Sequence, residues 1–523
     1  MKSKIILTSA CLALAAASLL VACGGGSSGS SSGGTTSAAA TSTTSGVLSA
    51  FGSVIVNGHE YATGSSTSVT DGDADDAAST LGALRVGMTV DVDATGQTAG
   101  RVRYTSAVRG EVDAIDTSAS TLTVLGQTVQ VSGATLFAGS RTSAGTTTAL
   151  TQLSDIGVGD YVIVYGVLDC TSTGANACAA GSTAGSTRVL ASLIDEPGAA
   201  GAYRVEGYAE NAGTASFTIN GLAVDIATSG TSATVCSPSP CAIANGDFVA
   251  VRSATAPTTV SGTLTLAATR VKTTSAAPVL VAGATASLEG PVALLDTTAE
   301  TFSVRGVTID GSALAATVAS LVAGEIVEVT GTVTASGSIA ATAITVEHHA
   351  TFSITAPLSA DSASADTITL LGQTFDVNSS TRFVDRVGNV RPFNLGNFTT
   401  VLALQDQLIV SGYTTASGNV ATRVERVATP ASPTVAVQGV VSGDSSAAGT
   451  VTIGGITATL GTSTALAYAG AGASPTLAGF FNAITVQSSV VAIVGTAGSG
   501  AGTIAATSAT VMPSTCLWAS GPF

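Results

Sequence analysis

The chain has 523 residues, 18 of them basic and 33 acidic, and only 10% are charged at all. Aromatics make up 4%, so the basic footprint and stacking surface that nucleic-acid binding requires are missing. Ser, Thr and Gly carry the hydrophilicity, while alternating Val, Ile and Leu segments offer enough apolar area to exclude disorder over most of the length.

Residues 1–23 open the chain with Lys2 and Lys4, continue with a mostly apolar run from Ile5 to Val21, and end at Leu20, Val21, Ala22 and Cys23. This pattern predicts a secretory signal that takes no part in the fold. It resembles a bacterial lipoprotein signal, which implies acylation of Cys23, palmitate-type chains and a membrane as partner through the N-terminal lipid. Gly24 rather than Asp follows the cysteine, and the sorting rule for such proteins then implies the outer membrane. Without the signal the net charge is about −17, and Lys272 is the sole lysine left. Residues 24–45 are Gly, Ser, Thr and Ala with no charge at all, and read as a flexible tether. No later apolar run is long enough to span a bilayer.

Beyond the tether one eleven-residue phrase recurs six times: SVIVNGHEYAT from Ser53, TLTVLGQTVQV from Thr121 and SFTINGLAVDI from Ser216. It returns as TFSVRGVTIDG from Thr301, TITLLGQTFDV from Thr367 and TVTIGGITATL from Thr450. Period-two apolarity on both sides of an x-Gly pair predicts two strands joined by a two-residue turn. Asn57-Gly58 and Asn220-Gly221 are the favoured type I′ pairs; Leu125, Arg305, Leu371 and Gly454 hold the first turn position elsewhere.

A second phrase follows each hairpin, as in Val158-Gly159-Asp160 before YVIV or Leu404-Gln405-Asp406 before QLIV. It predicts a turn feeding another strand. A third phrase closes most modules, for example Thr187-Arg188-Val189 and Thr422-Arg423-Val424, and a leading strand with a glycine opens modules two to six. The reading is an all-β tandem array of about six small five-stranded OB-like β-barrel modules without convincing helix. Their spans are 46–107, 108–200, 201–280, 281–349, 350–430 and 431–512, followed by a tail at 513–523. Modules this small are marginal alone, which predicts packing between neighbours.

Cysteine use fits export. Cys170 and Cys178 bracket one loop of module two, and Cys236 and Cys241 bracket one loop of module three, so two loop disulfides are expected. Cys516 is left without an evident partner. His59, His348 and His349 are spread over distant modules and read as surface or turn residues, not as a triad or zinc site. The one carboxylate cluster runs from Asp71 to Asp76. Asp71, Asp73 and Asp75 match the first ligand positions of a calcium loop, but Asp76 replaces its turn glycine and Gly82 its final Glu. They are weak metal candidates in what reads as a solvated acidic loop. No catalytic residue, cofactor site or hydrolase constellation is evident.

The stretch from Phe51 to Gly58, Leu122 to Val129 and Val158 to Asp160 is similar to the domain-of-unknown-function family DUF5666. That family occurs in tandem in Gram-negative exported proteins and lipoproteins. The resemblance runs over about residues 46–512 and weakens in module six, where Gln487, Ser488 and Ser489 replace the Val-Gly-Asp turn. It implies modular β-structure and an envelope location, and brings no catalytic residues. The expected role is a non-enzymatic structural, spacer or binding protein. The alternative is a binder of envelope polysaccharide or another surface polymer, for which Tyr161, Tyr165, Phe248 and Phe398 are the aromatics in question; a protein partner is equally compatible.

Overall fold

All six x-Gly pairs turn the chain as the repeated phrase demands. Both residues of each pair have positive φ: 52° and 67° at Asn57-Gly58, 50° and 70° at Leu125-Gly126, 49° and 76° at Arg305-Gly306. Leu371-Gly372 (51°, 76°), Asn220-Gly221 (48°, 90°) and Gly454-Gly455 (55°, 81°) complete the set. This left-handed geometry matches the twist of the flanking strands, so it is imposed even where a leucine or arginine must adopt it.

The computed structural model describes residues 42–51, 53–117, 119–143, 146–169, 187–230, 233–348, 350–430, 435–468 and 475–512. Cys23, the Cys170 and Cys178 pair, His349, Cys516 and the tail lie outside the described residues. The described residues all belong to one compact unit.

Module two shows the plan. Strands Val108–Asp116, Thr121–Val124 and Gln127–Gln130 run as a meander, Gln127–Gln130 pairs in parallel with the last strand Arg188–Glu196, and Tyr161–Asp169 closes back onto the first. The strand order 1-2-3-5-4-1 is that of a closed, OB-like five-stranded barrel. Modules four and five close the same way, from Thr285–Asp296 to Ile339–Val346 and from Phe352–Ser362 to Gly418–Val427. Modules one, three and six keep the order with one weak junction. In module one it is the bridge between Ala62 and Thr98; in module three the last strand is split into Thr263–Ala268 and Arg270–Thr273.

Four features depart from the sequence reading. A sixth short strand follows the hairpin in five modules and lies parallel to the last strand, as Arg382–Asp385 does in module five. Short helical turns precede the second phrase, Ala315–Val318, Phe398–Val401 and Leu477–Asn482 among them, and drop Val318, Phe398 and Phe480 into the barrel ends. Module five opens on Phe352–Ser362 without a glycine. The first strand begins at Ser42, inside the stretch read as tether. Its polar side chains are held rather than solvated, since Thr43 donates to Asp93 at 3.1 Å, Ser45 donates to Asp91 at 2.6 Å and Thr44 pairs with the Tyr61 hydroxyl.

The order of the modules in the chain is not their order in space. Leading strands join modules two and three (Val108 opposite Val205) and modules five and six (Phe352 opposite Gly439). Module one, by contrast, pairs in parallel with module four, Ser42 opposite Thr285 through Ser45 opposite Leu288. One apolar core therefore runs through modules two and three and another through modules five and six. Sharing strands in this way removes edges that small barrels would otherwise expose.

The second turn supplies a clean test of backbone strain. Gly87, Gly159, Gly246 and Gly324 take φ near 90° there, whereas modules five and six place Gln405 (φ 74°) and Gln487 (φ 65°) at the same point. Gln405 is exposed. Gln405→Gly is therefore expected to stabilise the protein by about 0.5–1 kcal/mol. Gly159→Gln, where nothing crowds the site, should cost a similar amount; paired urea denaturation curves check both, and a destabilising Gln405→Gly or a stabilising Gly159→Gln would refute the strain.

Candidate functional site

The residues singled out in the sequence do not converge on one site. The acidic loop is not a solvated one, and Asp73, Asp75 and Asp76 reach basic side chains of other modules. Asp73 sits in the helical turn Gly72–Ala74, is 4% exposed, and pairs with Arg109 of module two and, at 2.9 Å, with Arg204 of module three. Asp75 meets Arg270 at 3.0 Å and Arg252 at 3.5 Å, while Asp76 pairs with Arg103 and lies 3.9 Å from Lys272. Asp71 accepts the Asp73 N–H at 2.9 Å. Burial opposes the charge on Arg109 and Arg204, yet Asp73 holds both guanidinium groups above their usual range. These oxygens face guanidinium groups rather than one another, which makes the loop a clasp between modules.

His59 reaches from the first hairpin to Glu328 of module four at 3.6 Å, and that contact raises its pKa. Tyr161, Tyr165 and Phe398 are buried, and Phe248 packs edge-on against Tyr208 at 5.2 Å. Cys236 and Cys241 form the disulfide expected in module three.

A cavity of about 330 Å³ opens where modules one, two, four and five meet. Its walls mix polar and apolar side chains, the apolar ones including Val47, Val167, Leu190 and Ile326 from three of the modules. Glu289 projects from strand Thr285–Asp296, accepts the Val47 N–H at 2.9 Å and lies 3.7 Å from Arg382. Arg382 also donates to the Ala134 carbonyl at 2.8 Å, and Arg423 donates to the Thr135 carbonyl and the Ser411 hydroxyl at 3.1 Å each. Both arginines thereby fasten module five to module two. Arg188 is held by Asp169 at 2.8 Å and Gln130 at 3.3 Å.

Glu347 and His348 follow directly after strand Ile339–Val346 and line the same space. Among the described residues the Glu347 carboxylate has no cation within 4.0 Å. Burial, together with Glu289 and Glu328, pushes it up to about 7, with Arg382 partly offsetting them. His348 lies over Tyr413, their ring centroids 4.5 Å apart. The cavity thus combines apolar side chains, three cations already committed to protein partners, and one carboxylate that is not.

A carboxylate whose folded pKa lies above that of the unfolded chain takes up a proton on folding. Between the ordinary 4.5 and about 7, stability therefore falls as pH rises. Glu347→Gln removes that loss. The variant is expected to match wild type near pH 4 and to exceed it by about 2 kcal/mol near pH 8; equal stability at both pH values would contradict the assignment.

Sequence reasoning missed Glu289, Glu347, Arg382 and Arg423. One signal was present: Arg188, Arg270 and Arg423 occupy the same place in the recurring Thr-Arg-Val phrase, in a chain with 18 basic residues. Two of them line the cavity and the third binds the clasp.

Residues 43–103, 109–174, 289–345 and 357–425 match the family model described as Domain of unknown function (DUF5666). These segments are modules one, two, four and five, the four that surround the cavity. Modules three and six lie outside the matches but keep the strand order. No curated protein matches the chain.

Proposed function

Four of the six modules of this chain belong to the family DUF5666, and from that premise we propose a non-enzymatic cell-envelope lipoprotein whose folded body binds a small molecule. The observation that carries the binding role is the cavity at the junction of modules one, two, four and five. Its size lies at the lower end of ligand sites, and its lining combines apolar side chains with polar and charged groups that can orient a ligand. The envelope location rests on the signal and Cys23 in the sequence. The polymer-binding alternative draws no support from Tyr161, Tyr165 and Phe398, which are buried in or between barrels.

Native mass spectrometry of the full protein isolated from envelopes tests the binding role. A small-molecule adduct is expected, and it should be lost in Val167→Trp, which fills the cavity. An adduct that survives in this variant, or its absence from the wild-type protein, would refute the reading. The same spectra should show an acylated Cys23, and Cys23→Ala should release the protein to the soluble fraction.

A further inference from the structure

We propose that the cavity at the four-module junction recognises a small organic ammonium ion, with the Glu347 carboxylate as its counter-charge and the His348 and Tyr413 rings as its cation–π face. The proposal rests on the reading of this cavity as a ligand site and adds the ligand's chemical class.

Three observations converge. The polar groups lining the cavity differ in how far they are committed. Arg188, Arg382 and Arg423 donate to protein acceptors, and Glu289 accepts the Val47 N–H and faces Arg382. Of the two carboxylates, Glu289 lies 3.7 Å from Arg382, whereas Glu347 meets no cation within 4.0 Å in the described residues. A partly enclosed carboxylate left this way is costly unless something positive comes to it.

The second observation is the local charge. Glu289 and Glu328 face Glu347 from neighbouring strands of module four, and Arg382 of module five is the cation that acts on it. Glu328 is itself engaged by His59. Burial first, and then these neighbouring carboxylates, hold the Glu347 proton up to about 7. A bound cation would replace that proton.

The third is the wall opposite in character. The His348 imidazole and Tyr413 phenol rings, tilted against each other with centroids 4.5 Å apart, line the cavity together with apolar side chains. Aromatic faces with a carboxylate suit an alkylated ammonium, whose charge is spread and whose hydration is weak. A hydrated divalent cation would instead need several oxygen ligands, and the described residues hold no group of three or more His, Cys, Asp or Glu able to provide them.

The test uses choline and its uncharged isostere 3,3-dimethyl-1-butanol, titrated into the full-length protein by calorimetry near pH 8. Choline is expected to bind at least about tenfold more tightly than the isostere. Glu347→Gln should reduce that preference while leaving the weak binding of the isostere in place, and Tyr413→Leu should weaken choline about fivefold. Affinity for choline should also fall as pH drops from 8 to 6, because Glu347 takes up its proton. Equal binding of choline and the isostere would overturn the ammonium assignment and leave the cavity a ligand site. A choline affinity unchanged in Glu347→Gln would overturn it too, as would binding of acetate in preference to choline. Failure of all probes would refute the ammonium class, while the envelope adduct and its loss in Val167→Trp judge the cavity separately.

Discussion

Asp73→Asn is expected to destabilise the protein by about 3–5 kcal/mol, because it removes the anion from a buried ionic cluster and leaves its cations behind. Asp73 is 4% exposed, and so is the side chain of Arg204. The two carboxylate oxygens take Arg204 at 2.9 Å, Arg109, and the Ser106 N–H at 3.1 and 3.2 Å. Glu206 still meets Arg204 at 2.7 Å, so part of the charge stays compensated, but Arg109 loses its carboxylate. An asparagine keeps the shape, but one of the two acceptor oxygens becomes an NH2 group that faces N–H donors. By comparison Asp76, whose side chain is 38% exposed beside Arg103 and Lys272, sits in solvent-screened pairs, and Asp76→Asn should cost under about 1 kcal/mol. Urea denaturation of the full-length variants reads both. Equal effects at the two positions would mean that the clasp carries no special weight.

Phe398→Ala is expected to cost about 3–5 kcal/mol, the range for removing a buried phenylalanine. Phe398 is 0% exposed, and its ring lies 6.0 Å from Phe383, which in turn lies 5.3 Å from Phe393. The helical turn Phe398–Val401 exists to deliver this ring into module five. A ring that served as a platform for a surface polymer would behave in the opposite way, with binding lost and stability unchanged. A variant with an unaltered denaturation midpoint would restore that alternative.

What the sequence made legible is the local geometry of each module. The x-Gly pairs predicted the hairpins, and the period-two runs predicted which faces are buried, because both depend on residues a few positions apart. The opening strand was misread because Ser42, Thr43, Thr44 and Ser45 look like tether; only Asp91, Asp93 and Tyr61, more than fifteen residues away, explain their order. The parallel pairing of Ser42 with Thr285 has no local signature at all. The acidic loop looked solvated because its arginines come from modules two and three. Long-range charge pairing and long-range strand pairing thus account for both misreadings. The cavity was hidden for the same reason, since Glu347 and Arg423 acquire meaning only when modules two, four and five are brought together.

Lys272 gives the most direct test of the folded-back arrangement, since it is the sole lysine beyond residue 4. Its amine lies 3.9 Å from the Asp76 carboxylate of module one, across 196 residues of sequence. Zero-length carbodiimide coupling of the dilute full-length protein, followed by peptide mass spectrometry, should therefore yield an intramolecular Lys272–Asp76 amide. Asp76→Asn should abolish that product. Lysine cross-links confined to carboxylates of modules three and four, with none to module one, would show that the modules lie in a row and would contradict the account.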